Sequence, residues 1–142
     1  MIGQEAWCHV PDKRRLIGEC ARVAKPHGVI AFTDILRGPA LSDSEMQRLQ
    51  REMTFPTLET TDGYTALLES SAHATVASED LSEQWARILI DRLAMYRGLE
   101  QETIRKFGFD HFRKWDDTYA FFVGLFSEGK LGGGRFVARP ES

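Results

Sequence analysis

The chain has 142 residues, 42% of them hydrophobic and 27% charged, and a formal net charge of −3. That length sets an expectation of a single domain, residues 1–142, with enough chain to bury a core. The acidic balance argues against a nucleic-acid surface, no apolar run approaches a membrane span, and Met1 opens no signal-peptide pattern, so a cytoplasmic protein is expected.

Residues 1–4 are too few to be a strand alone. Pro11 and Asp12 then open a helix over 12–25, because proline suits the first helical turn and a carboxylate favours the positive end of the dipole. Leu16, Ile17, Cys20, Val23 and Ala24 make one apolar stripe, which leaves Lys13-Arg14-Arg15 as a solvated face. Lys25-Pro26-His27-Gly28 stops the helix. Val29, Ile30, Ala31 and Phe32 run on as a strand covered on both faces, 29–34, closing in Thr33 and Asp34. At such carboxyl ends open α/β sheets place their ligands.

Gly38-Pro39 marks a loop, and Ser42-Asp43-Ser44-Glu45 matches a capping box for a helix over 43–53. Residues 54–61, with Pro56, read as loop. A helix over 63–71, capped at Thr61-Asp62, and a strand over 73–78 centred on Val76 come next. Residues 81–107 give the longest helical pattern, and 109–128 give a second one, rich in aromatics. Gly98 marks a weak spot and Gly108 a break between an antiparallel pair. Gly132-Gly133-Gly134 reads as a turn into a last strand over 135–140. Cys8 and Cys20 lack metal-ligand spacing to the histidines, so two reduced thiols and no metal are expected. His27, His73 and His111 read as surface or turn residues.

The string HVPDKRRLIGECARVAKPHGVIAFTDIL resembles the post-motif region of class I S-adenosylmethionine-dependent methyltransferases. Within that class, Gly3-Gln4-Glu5-Ala6-Trp7-Cys8-His9 is similar to the Ser-(Gln/Arg)-Asp-Ala-x-x-His segment of the sarcosine/dimethylglycine and phosphoethanolamine N-methyltransferases. Two positions depart from that pattern: Glu5 stands for the usual Asp, and His27 for the first turn glycine. The similarity continues through GYTALLESS, DLSEQWARILIDRL and EGKLGGGRFVARP. It implies an α/β, partial Rossmann-like fold with a small mixed sheet, flanking helices and a long helical pair. It also implies the C-terminal half only, because no G-x-G-x-G follows an apolar strand. S-adenosylmethionine is thus a cofactor by resemblance, with no tight binding expected to this chain alone.

Methyl transfer to an amine needs a free lone pair, so a group must take the ammonium proton. His9 fits that task, since imidazole titrates near neutrality, and the resemblance places it in the catalytic pair. The other reading of His9 is a loop histidine with a structural hydrogen bond. Glu5 could hold the ammonium or orient His9, with Gln4 and Asp34 on the substrate side; each carboxylate alone is more often a cap or a solvated charge, and their convergence at adjacent strand ends favours the functional reading. The expected function is methyl transfer to a small amine by a chain not active in isolation. The rival is a non-catalytic binding or assembly module built from half of the fold. A bare edge along 29–34 would favour a homodimer or a partner carrying the missing half.

Overall fold

The computed structural model describes residues 1–141, with the side chain of Val76 outside those described. Four strands form one mixed sheet in the order β1 (Ile2–Gln4), β2 (Ile30–Arg37), β4 (Leu131–Pro140) and β3 (His73–Asp80). β1 runs parallel to β2, and the other two pairings are antiparallel. Six helices surround the sheet: α1 (Lys13–Val23), α2 (Asp43–Glu52), α3 (Thr61–Ser70), α4 (Ser82–Gly98), α5 (Glu100–Phe107) and α6 (Phe109–Ser127). Among the described residues no helix is long and apolar enough to cross a membrane.

Local chemistry sets the boundaries. Asp12 caps α1 by accepting from the Arg15 amide. The capping box of α2 is complete: Ser42 Oγ accepts from the Glu45 amide at 3.1 Å, and Glu45 returns the bond to the Ser42 amide at 2.8 Å. Thr60 caps α3, one position ahead of the sequence-based expectation. The pattern over 81–107 is two helices rather than one, because Leu99 leaves the helical region after Gly98. Gly108 at φ +91° turns the chain from α5 into α6, a conformation that suits a residue without Cβ. The Tyr96 ring stacks on Phe112 at 5.1 Å and Arg97 pairs with Asp116 at 2.8 Å, joining the end of α4 to the start of α6. The expected antiparallel pair is therefore α4 with α6, with α5 interposed in the chain.

Because side chains alternate along a strand, β2 divides its residues between two layers. Ile30, Phe32 and Leu36 join Trp7, Ile17, Tyr64, Leu68 and Phe136 in a core under α1 and α3. Ile35 faces the other way, into a core with Leu49, Phe55, Phe122, Phe126 and Leu131 beneath α2 and α6. The glycine run belongs to β4, not to a turn before it. A methyl group at Gly133 would fall on the Trp85 ring, and the Gly133 amide donates to Ser82 Oγ at 3.1 Å. The run is a seat for the first turn of α4.

The bare edge expected on β2 is corrected as well. The Ala31 amide donates to the Met1 carbonyl and the Glu5 amide to the Thr33 carbonyl, so β1 covers β2. β1 is then the outer strand, and Ile2 is 86% exposed on it. Lys13 is buried rather than solvated, as is His73.

At the middle of β2 lies a fully buried carboxylate, Asp34. Its Oδ1 accepts from the Cys8 amide at 2.9 Å and its Oδ2 from the Tyr64 hydroxyl at 2.6 Å. Buried Lys13 donates to the carbonyls of Val10 at 2.5 Å and Thr57 at 3.0 Å, and its charge acts on Asp34. Burial raises the Asp34 carboxyl above its ordinary range; the Tyr64 hydroxyl, the Cys8 amide and the Lys13 charge pull it part of the way back. Burial also lowers Lys13, against the opposing pull of Asp34. The Cys8 thiol is pushed up to about 12, by burial first and then by the Asp34 charge, so it stays protonated. The same two causes push the Tyr64 phenol up and keep it a donor.

Phe122→Ala empties a buried site in the α6 core and should cost about 3–5 kcal/mol in urea denaturation. Unchanged denaturation would mean that this face of α6 is not packed. A second expectation concerns pH. With its folded pKa raised, Asp34 contributes stability that is present below the ordinary carboxylate pKa and lost as pH rises through the folded value. Tyr64→Phe removes a donor to the ionised form and raises that pKa further. Its cost should be about 1–3 kcal/mol at neutral pH and should shrink towards pH of about 3.9. A cost independent of pH would show that Tyr64 does not act through the carboxylate.

Candidate functional site

β1 ends where the backbone departs from ordinary geometry. Glu5 has φ +40°, in the left-handed region, which costs a side-chain-bearing residue about 1–3 kcal/mol. The kink is held from two sides: the Glu5 amide donates to the Thr33 carbonyl at 2.9 Å, and the Thr33 hydroxyl donates to Glu5 Oε1 at 2.6 Å. The carboxylate is thus exposed yet fixed.

Two cavities meet at this point. The first, about 470 Å³, lies on the open face of the sheet, lined by Gln4, Glu5, Ala31, Thr33, Trp85 and Arg135 among others. The second, about 350 Å³, lies between the sheet end and the helical pair; Gln4, Glu5 and Arg92 line it with Ile35, Trp85, Ile88, Leu89, Phe122 and Phe126. Both volumes suit a small-molecule site, typically about 300–1,000 Å³. In the first, Arg135 is already paired with Glu79.

His9 ends a 3-10 turn, Trp7–His9, and its ring is exposed against Phe55, with centroids 5.2 Å apart. Nδ1 lies 3.0 Å from the Thr54 carbonyl, an acceptor only, so in the neutral ring Nδ1 carries the proton and Nε2 is left as a base. His9 lines neither cavity.

Of the four residues singled out by sequence, Gln4 and Glu5 line both cavities, His9 lines neither, and Asp34 is turned away. Asp34 is the correction. Thr33 faces Glu5 and the first cavity, so its neighbour must point through the sheet into the opposite layer, where both carboxylate oxygens are occupied. Sequence reasoning missed Trp85, Arg92 and Arg135 as lining residues, whereas Thr33 was placed at a ligand-facing strand end. Trp85 had a signal: an aromatic opposite a glycine run packs close. Arg92 had none, being one arginine among several on a helix. Among the described residues no three His, Cys, Asp or Glu are placed to hold a metal ion.

The residues described do not fit S-adenosylmethionine as its holder. A donor cradle needs open backbone amides after a strand and before a helix, whereas the one glycine run lies inside β4 under Trp85 and Ser82.

No family model matches the chain. Methyltransferase GfsG of Streptomyces halstedii is 34% identical over 83 residues, which is 56% of this chain and 30% of that protein. A protein from Galdieria sulphuraria assigned as a sarcosine dimethylglycine methyltransferase superposes with a TM-score of 0.86 at 21% identity, over 99% of this chain and 52% of that one. The phosphoethanolamine N-methyltransferase 2 of Haemonchus contortus, solved with phosphomonomethylethanolamine and S-adenosylhomocysteine, gives 0.86 at 14% identity over 99% and 33%. The cyclopropane synthase MmaA2 of Mycobacterium tuberculosis gives 0.85 at 14% identity over 97% and 54%. The chain spans 30% of the curated relative and 52% of the Galdieria sulphuraria structure. Over the superposed residues it has the α/β fold of methyltransferases.

Proposed function

We propose that this chain forms the acceptor side of an S-adenosylmethionine-dependent methyltransferase that acts on a small amine. The observation that carries the reading is Glu5, a carboxylate fixed by Thr33 on a strained turn where two cavities meet. Strain of this kind persists where the surrounding structure imposes it, and it concentrates at ligand sites. The fold supports the class, and the Haemonchus contortus neighbour has been solved with S-adenosyl-L-methionine and with its demethylated product.

In this reading Glu5 attracts the ammonium form of the acceptor and Gln4 helps orient it. His9 takes the ammonium proton on Nε2, which frees the lone pair for an electrophilic methyl group. The acceptor nitrogen then has to sit at the rim between Glu5 and His9. Holding the donor falls to polypeptide beyond the residues described, and the isolated chain is inactive. A second reading, a non-catalytic binding or assembly module, is favoured by one observation, the filling of the glycine run by Trp85 and Ser82.

The two readings separate in a chimera. The part of the Galdieria sulphuraria protein that this chain does not match is placed ahead of Met1, and sarcosine and phosphomonomethylethanolamine are offered as acceptors. Turnover is expected, reduced at least about 100-fold by Glu5→Gln and by His9→Ala, with His111→Ala within about twofold of the parent. Full turnover in the Glu5→Gln and His9→Ala chimeras would remove both residues from the chemistry.

A further inference from the structure

A third cavity shares one lining residue with the second. Arg92, Met95, Tyr96, Trp115 and Tyr119 enclose about 310 Å³ on the outer side of α4 and α6. Arg92 lines both spaces, so the two abut across its side chain. Together they form a trough from Glu5 to Trp115, walled almost wholly by aliphatic and aromatic groups at the Trp115 end and carrying Gln4 and Glu5 at the other. Met95 is 64% exposed and Trp115 is 47% exposed, so apolar surface remains open at its outer end.

Within this trough one charge stands out for lack of a partner. Neighbouring arginines are engaged: Arg97 with Asp116 at 2.8 Å, and Arg48 with both Asp117 at 2.8 Å and Glu52 at 2.9 Å. Arg92 makes no hydrogen bond or ion pair among the described residues. The Tyr119 hydroxyl beside it also has no partner among them. Tyr119 is held protonated, raised by burial against the opposing Arg92 charge, and so remains a donor. A guanidinium carries donors only and binds carboxylate, sulfonate or phosphate oxygens best. At the other end, Glu5 repels an anion and sets the polarity of the trough.

We infer that the α4–α6 trough binds an extended apolar anion, its body against Trp85, Ile88, Leu89 and Phe126 and its acidic group on Arg92. Where the ligand also carries an amine, that end lies at Glu5. This last clause rests on the acceptor-side reading, and the anion site does not.

The test is a binding titration of the purified chain without any methyl donor. Decanoate, decan-1-ol and decyltrimethylammonium, each below its micellar concentration, offer the same tail with a negative, neutral or positive head. Trp85 and Trp115 line the trough, so their emission reports occupancy. Decanoate is expected to bind at least about tenfold more tightly than the other two, the factor one charge-assisted hydrogen bond supplies. Arg92→Gln should bring decanoate down to the decan-1-ol value, Trp115→Phe should remove part of the emission change, and Arg105→Gln should leave binding unaltered. Equal affinity for the three heads, no decanoate binding, or decanoate binding indifferent to Arg92→Gln would each overturn the inference. An inactive chimera would leave this result standing, and a failed titration would leave the methyl-transfer reading standing.

Discussion

A single buried carboxylate holds this arrangement together. Asp34 cannot keep a charge inside the sheet without donors, since an unpaired buried ion costs several kcal/mol even after relaxation, roughly. The donors come from three parts of the chain: the turn after β1 through the Cys8 amide, α3 through Tyr64, and α1 through the charge of Lys13. Each of those elements is thereby fixed relative to β2. The turn after β1 is the one that carries Glu5 and His9. The position of the candidate site thus depends on a carboxylate that faces away from it.

Alternation along β2 explains both the site and the error in reading it. Thr33 and Asp34 together look like a strand end with two polar groups offered to a ligand. β2 instead runs on to Arg37, so the pair lies inside the strand and its members point into opposite layers. Thr33 reaches Glu5, and Asp34 reaches Tyr64. A carboxylate in an otherwise apolar, covered strand was itself a sign of buried donors elsewhere; which residues would supply them depends on contacts made across about 30 residues of chain, beyond the reach of local pattern.

Where a feature is set by neighbours in sequence, it was legible. The Ser42–Glu45 box, the stop at Pro26 and the break at Gly108 all lie where residue chemistry puts them. Lys13, His73 and the glycine run did not yield to the same reasoning, because their environment is tertiary. Lys13 is buried because Thr57 offers a carbonyl over α1. The glycines stay in β4 because Trp85 needs the room. The aromatic pattern of α6 announced a packed face, and Phe122 and Phe126 supply it; nothing in that pattern separated them from Trp115, which the trough leaves half open.

In the proposed function the acceptor binds here and the donor is held elsewhere. The most direct check is calorimetric titration of S-adenosylmethionine, and of its demethylated product, into the purified chain. No saturable heat is predicted up to about millimolar ligand, a binding free energy weaker than about −4 kcal/mol. Saturable binding of either molecule at micromolar concentration would contradict the account, because the described residues would then hold a donor that their glycine run leaves no room to cradle.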